Sequence, residues 1–289
     1  MTQEKAIRNI TVVGAGTMGH GIAQVAAQSG YHVTLTDADP EALPRALARI
    51  RKNLDGGVAR GKLDADERDE ALERLKTEAD PAAALAEADL CIEAVVENLD
   101  VKHAVFRSFE EHAPPHAVLA TNTSSLPVAR IAAPLANPGR VVGMHFFNPV
   151  HIMQLVEVVT HEGTNEDARV AALQVVSKMG KVPVIVADSP GFATSRLGVV
   201  IALEAIRMVE QGVASAADID RAMELGYKHP MGPLKLTDVV GLDVRLAIAE
   251  TLHSELGGAH YEPPQLLRDK VAAGELGRKT GKGFYEWTE

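Results

Sequence analysis

The chain has 289 residues, a formal net charge of -10, 46% hydrophobic residues and a single cysteine, Cys91, with a mean hydropathy near zero. That length supports two domains with sizeable cores, and the balance of residues excludes a disordered or fibrous chain. The acidic surplus excludes a broad basic surface for nucleic acid, and no apolar stretch reaches membrane-span length, so neither a nucleic acid nor a membrane is expected as partner.

Residues 1–9 show no apolar signal core, and Cys91 sits inside the apolar run 90–96, which reads as a buried structural thiol. A reducing, cytoplasmic setting is the expectation. Residues 10–13 form a short apolar strand, and Gly14-Ala15-Gly16-Thr17-Met18-Gly19 follows at once, leading into a helical run to Gly30. In such a unit Gly14 permits the tight turn, Gly16 lets a pyrophosphate approach the backbone, and Gly19 allows close helix packing. Phosphate charge then meets the helix N-terminus. A second strand, 32–36, ends in Asp37, eighteen residues after Gly19, where a carboxylate accepts from the ribose 2'-hydroxyl and repels a 2'-phosphate. Asp39-Pro40-Glu41 supplies the cap of the next helix, which leaves Asp37 for the ribose. The cofactor expected is NAD, not NADP.

From residue 39 the apolar positions Leu43, Leu47, Ile50, Leu54 and Val58 recur at three or four residues, predicting an amphipathic helix that ends near Gly61. A charged segment, 63–75, follows with Leu72 and Leu75 as its strong apolar anchors, so this helical pair is expected to project from the body. Strands resume at 89–96 and 117–120, separated by a helix over 100–112. Glu97-Asn98-Leu99 and Thr121-Asn122-Thr123-Ser124-Ser125 close those two strands at the ends where open α/β sheets place ligands. Ser124 and Ser125 also fit as turn or cap residues.

Arg140-Val141-Val142 reads as a strand entering a packed sheet, and Gly143-Met144-His145-Phe146-Phe147-Asn148-Pro149 ends it, because proline cannot continue a central ladder. Twelve residues after His145 comes Glu157, the one acid of the apolar strand 153–159. An unpaired buried carboxylate is costly, so Glu157 calls for a partner, and a carboxylate on one imidazole nitrogen fixes the tautomer that lets the other take a proton. A hydrogen-bonded core histidine beside an edge-strand glutamate fits the same spacing; the dinucleotide unit upstream favours catalysis. His112 and His116 are split by Pro114-Pro115, and His145 and His151 by Pro149, so neither pair forms a helical ligand site and no metal is expected.

Beyond the strand 182–187 a boundary falls at Asp188-Ser189-Pro190-Gly191, dividing a dinucleotide-binding domain, 1–187, from a helical domain, 188–289. The run 197–209 is apolar over most of its circumference, Ser215-Ala216-Ala217-Asp218 matches a capping box, and helices are expected over 241–256 and 263–273. So much apolar helix in about a hundred residues points to a homodimer. The fold class expected is α/β: a Rossmann-like, mostly parallel sheet with a helical hairpin excursion, then a smaller all-α domain.

These motifs resemble the L-3-hydroxyacyl-CoA dehydrogenase family, particularly its bacterial 3-hydroxybutyryl-CoA members, from Ile10 to Tyr285. The likeness is carried by the glycine loop, Glu93-Ala94-Val95-Val96-Glu97-Asn98-Leu99, Asn122-Thr123-Ser124-Ser125-Leu126, the His145 segment, His229-Pro230-Met231-Gly232-Pro233 and Gly277-Arg278-Lys279-Thr280-Gly281-Lys282-Gly283-Phe284-Tyr285. The resemblance implies NAD-dependent oxidation of a 3-hydroxyacyl-CoA to the 3-ketoacyl-CoA, or the reverse, in β-oxidation-like fatty acid metabolism. It implies His145 as general base, Glu157 as its partner, Ser124 on the substrate hydroxyl and Asn148 positioning the reacting groups. It further implies Glu97, Lys102 and Lys279 in the NAD cleft and Asn53 and Arg60 near CoA. Family members show Pro-Gly-Phe-x-x-Asn-Arg where this chain has Pro190-Gly191-Phe192-Ala193-Thr194-Ser195-Arg196, so Ser195 takes the place of an asparagine near the substrate carbonyl. A hydroxyl donates there with shorter reach, which bears on acyl-chain preference. The alternatives are an NAD-dependent dehydrogenase of a sugar acid or another hydroxy acid on the same scaffold, and a noncatalytic NAD-binding protein.

Overall fold

The computed structural model describes residues 6–288, so the leader reading of residues 1–9 falls mostly outside it. Short runs of Val, Ile and Leu become the strands of one sheet: β1 (Asn9–Val13), β2 (His32–Thr36), β3 (Leu75–Thr77), β4 (Leu90–Glu93), β5 (Val118–Thr121), β6 (Val141–Phe146), β7 (Leu155–Thr160) and β8 (Val182–Ala187). Their spatial order is β3-β2-β1-β4-β5-β6-β7-β8. Strands β1 to β6 run parallel, β7 runs antiparallel to β6, and β8 runs with β7. The first six follow the doubly wound order whose ligands bind outside the carboxyl ends of the strands. Central strands of such a sheet are covered on both faces, which is why β4 and β6 are buried at every position and show no alternation.

Helices α1 (Gly19–Gln28), α2 (Ala42–Ala59), α3 (Ala65–Glu73), α4 (Pro81–Leu85), α5 (Leu99–His112), α6 (Val128–Ala132) and α7 (Glu166–Lys178) connect these strands. Local chemistry starts several of them. The Asn98 side chain accepts from the Val101 amide at α5, and Asp80 accepts from the Ala82 amide at α4, with Pro81 just inside the helix.

The sequence expectations fail at identifiable places. The pair α2 and α3 does not project: Leu43, Ala46, Ile50, Leu54 and Ala71 are buried in the sheet core. Ala46 and Ala71 supply that contact, and alanine is easily passed over as an anchor. Helix α2 starts at Ala42, not at Pro40, because Asp39 folds a turn of its own by accepting from the Glu41 amide at 3.0 Å. Leu75 opens the edge strand β3 and does not end a helix. Strand β4 stops at Glu93, short of the expected 96, since the Glu93 carboxylate accepts from the Val95 amide at 2.7 Å and turns the chain. Cys91 is fully buried, and burial pushes its thiol up to about 12.

The chain divides into two compact units, Met1–Asp188 and Ser189–Glu289. The second consists mainly of α8 (Thr194–Glu210), α9 (Ala216–Gly226), α10 (Pro233–Val240), α11 (Leu242–Leu256) and α12 (Gln265–Ala272) around Val199, Leu203, Ile206, Leu234, Leu242 and Leu252. Ser215 caps α9 by accepting from the Asp218 amide. Helix α10 is absent from the sequence reading; buried Asp220 holds its first turn by accepting from the Leu234 and Lys235 amides. Among the described residues no helix is long and apolar enough to cross a membrane.

Candidate active site

The glycine loop lies at the carboxyl end of β1. Gly14 has φ +105 and donates its amide to the Thr36 carbonyl at 2.8 Å, tying the loop to β2. A Cβ on Gly19 would stand 1.6 Å from the Gly14 carbonyl oxygen, whereas one on Gly16 would meet nothing within 4 Å. The loop is therefore tight where the helix packs and open where a ligand approaches. Thr17 is exposed and Met18 half-buried, and no side chain caps α1, whose N-terminal end suits a phosphate although the His20 amide donates to the Gly16 carbonyl at 3.2 Å. Asp37 accepts from the Ala15 amide at 2.6 Å and from the Asp39 amide at 2.8 Å, which holds its carboxylate beside the loop. An apolar cleft of about 240 Å³ opens there, lined by Val13, Ala38, Leu85, Ala104 and Val105 together with Asp37. A flat purine, a ribose hydroxyl and a pyrophosphate each find a matching wall, so these residues fit NAD.

His145 and Glu157 face each other in the β6–β7 ladder. The antiparallel pairing converts a separation of twelve residues into one rung, and Nδ1 of His145 lies 2.8 Å from Oε2 of Glu157. The His145 side chain is 9% exposed and that of Glu157 fully buried. The carboxylate accepts from Nδ1–H, which makes Nε2 the basic nitrogen. The Phe147 ring packs 4.4 Å from the imidazole, centroid to centroid. Asn122 at the end of β5 accepts from the Phe146 amide at 2.8 Å, fixing the strand end from the neighbouring side. Asn148 follows and is exposed. Lys181 donates to the Val150 and Met153 carbonyls at 2.6 and 2.7 Å, closing the turn after Asn148.

At the adjoining strand ends, Glu97 gathers the loop that carries Ser124. One of its oxygens accepts from the Thr123 hydroxyl, from the Ser124 amide at 3.0 Å, and from the Ser125 amide and hydroxyl at 3.2 and 3.3 Å. The other lies 3.1 Å from Nζ of Lys102. Burial alone would raise the Glu97 carboxyl; the Lys102 charge, the Thr123 hydroxyl and the Ser124 amide outweigh it and hold the group below the usual glutamate range. Lys102 is wholly buried and also pairs with Glu93 at 2.8 Å. The residue expected on the cofactor cleft thus has its ammonium held by two carboxylates.

Asn53 donates to the Gln24 side chain at 3.1 Å, and Asn53, Arg60, Lys62 and His151 line a groove of about 640 Å³ between α1, α2 and the turn after Asn148. Burial first, then the charges of His20, Lys181 and Arg60, lower the His151 pKa, the mark of a cation-rich surface. Ser195 and Lys279 belong to the second unit. Ser195 lies half-buried in the first turn of α8, and Lys279 pairs with Asp243 at 2.6 Å. Sequence reasoning missed Glu93, Asn122 and Lys181 as supports of the site. For Glu93 the signal was present, a lone acid in an apolar strand.

Comparison with known proteins places the chain in a family. The family model for the NAD binding domain of 3-hydroxyacyl-CoA dehydrogenase matches residues 9–189, and that for its C-terminal domain matches residues 191–287. The chain is 45% identical over 283 residues to a probable 3-hydroxybutyryl-CoA dehydrogenase of Bacillus subtilis, covering 98% of both proteins. The crystal structure of the (S)-3-hydroxybutyryl-CoA dehydrogenase PaaH1 of Ralstonia eutropha superposes with a TM-score of 0.95 at 38% identity, covering 98% of this chain and 100% of that one. That of M. tuberculosis FadB2 gives 0.94 at 43% identity over the same shares. The two domain models, the sheet order and full-length likeness together make this chain an NAD-dependent oxidoreductase of the 3-hydroxyacyl-CoA dehydrogenase family.

Proposed function

We propose that the chain interconverts short (S)-3-hydroxyacyl-CoA and 3-ketoacyl-CoA esters, such as 3-hydroxybutyryl-CoA and acetoacetyl-CoA, with His145 as general base. The observation that carries this reading is the 2.8 Å bond between His145, near the carboxyl end of β6, and buried Glu157, at the same end of the sheet as the glycine loop that follows β1. When bound, NAD supplies the acceptor for the hydride on C3 of the substrate. His145 takes the hydroxyl proton at Nε2 as that C–H bond breaks, and Glu157 stabilises the imidazolium without taking the proton. Ser124 hydrogen-bonds the reacting oxygen, and Asn148 positions the group from the end of β6. Gly14, Gly16, Thr17, Met18, Gly19 and Asp37 hold the dinucleotide, with Glu97 beside them, and the family resemblance assigns Lys279 to the same cofactor. Asn53 and Arg60 meet CoA in the cation-rich groove, a setting suited to its phosphates, and Ser195 bears on the acyl chain.

In this reading residues 1–187 bind NAD, while 188–289 bind substrate and pair two copies of the chain in the cytoplasm. The exposed Leu197, Ile201, Leu236, Val239 and Val240 of α8 and α10 support a homodimer, which light scattering would register as twice the chain mass. Oxidation of NADH, but not NADPH, with acetoacetyl-CoA, falling off with longer 3-ketoacyl-CoAs, is the expected result. Turnover of a sugar acid with no activity on any CoA ester would overturn it.

A further inference from the structure

Glu93 has no part in the chemistry above, yet its two oxygens carry four hydrogen bonds. It is fully buried. Its oxygens accept from Nζ of Lys102 at 2.8 and 2.9 Å, from the Thr121 hydroxyl at 2.7 Å and from the Val95 amide at 2.7 Å. An ammonium has three N–H bonds. Those of Lys102 are spent on the two oxygens of Glu93 and, at 3.1 Å, on Glu97. Lys102 itself is wholly enclosed, so its position is set by these acids and not by solvent.

One acid would already neutralise the lysine, and removing two charges from water is expensive. The second acid is accounted for by what lies beyond it. Glu93 is fixed by two groups at strand ends, it fixes Lys102, Lys102 fixes one oxygen of Glu97, and the other oxygen collects the amides of Ser124 and Ser125. The links run without a gap from the middle of the sheet to the loop that bears Ser124.

We infer that Glu93 is a positioning residue for Ser124, acting through Lys102 and Glu97. The inference rests on the reading that Ser124 meets the substrate oxygen. Misplacement of a contacting group by a fraction of an ångström to an ångström costs on the order of ten- to a hundredfold in turnover. Glu93→Gln keeps the shape of the side chain and removes its charge, leaving Lys102 free to shift toward Glu97.

The test compares wild type, Glu93→Gln, Lys102→Met and the double variant as full-length protein. Hydrogen exchange is read on a peptide covering 121–127, alongside turnover of acetoacetyl-CoA and NADH binding by fluorescence. Glu93→Gln is expected to speed exchange at 121–127 while leaving 141–146 protected. It should lower kcat at least tenfold, with a smaller loss of NADH affinity because Glu97 also borders the cofactor. The double variant should be no slower than Lys102→Met alone, since both changes break one chain of contacts. Wild-type protection at 121–127 in Glu93→Gln, or additive losses in the double variant, would overturn the inference. Should Glu93→Gln fail to fold, Thr121→Val, which removes one bond to Glu93, is expected to give the same pattern in smaller measure. The exchange readout does not need turnover, so an inactive wild type would sink the dehydrogenase reading while exchange still judges Glu93.

Discussion

Two carboxylates in one sheet, Glu157 on β7 and Glu93 on β4, are both fully buried and each is the sole acid of its strand, yet they are held differently. Glu157 faces one imidazole on the next rung of an antiparallel ladder. Glu93 faces an ammonium delivered by a helix, with a hydroxyl and an amide filling its remaining lone pairs. An imidazole can take and return a proton, so the first arrangement is suited to change charge during a reaction. An ammonium enclosed by charge-assisted bonds to two carboxylates is fixed in place, so the second is suited to hold a shape. A burial of acid with base thus has two outcomes in this fold, and the base decides which.

The contrast is open to direct attack. Its largest expected effect is on turnover: Glu157→Gln should lower kcat by about a hundred- to ten-thousandfold, the range of general base catalysis, with little change in NADH affinity. Unchanged turnover would remove Glu157 from the mechanism and leave two structural acids. Next comes stability. Glu93→Leu leaves a buried lysine short of its main partner, which costs about 3 kcal/mol, read as a fall in urea midpoint at constant slope. A loss below about 0.5 kcal/mol would mean that solvent reaches Lys102 easily.

The smallest effect is a pH dependence, and it sharpens what lies between the two acids. The folded pKa of Glu97 is held below the ordinary 4.5, so its stabilisation is present above that value and is lost as pH falls through the folded pKa. Wild type should therefore lose stability below about pH 4.5 more steeply than Glu97→Gln, measured by thermal midpoint. Parallel acid limbs for the two proteins would show that Lys102 and the Ser124 loop leave Glu97 unperturbed.

Much of the nucleotide half was legible because its signals are local. The glycine loop, Asp37 at the end of β2 and the strand 182–187 each follow from a few neighbouring residues. The rung joining His145 to Glu157 was legible for a related reason, since the two strands are consecutive in the chain and the buried acid calls for a partner on its neighbour. The support around Ser124 was not. It joins Glu93, Lys102, Glu97 and Thr121 from two strands, a loop and a helix, and only the packed sheet brings them together. The lone-acid argument used for Glu157 applied equally to Glu93, and following it would have demanded a cation, for which Lys102 nine residues on is the nearest candidate. Helix α7 escaped notice because Ala168 and Ala172 carry part of its buried face, and alanine gives a faint pattern.

In the proposed reading Asp37 does two jobs at once, because the carboxylate that would select the ribose also accepts from the Ala15 amide. A redesign toward NADP by shortening this acid would therefore also unhook the peptide that shapes the pyrophosphate bed. Cofactor preference and the rigidity of the loop are in this respect one property, and any engineered swap has to furnish a new acceptor for that amide before it can gain a new cofactor.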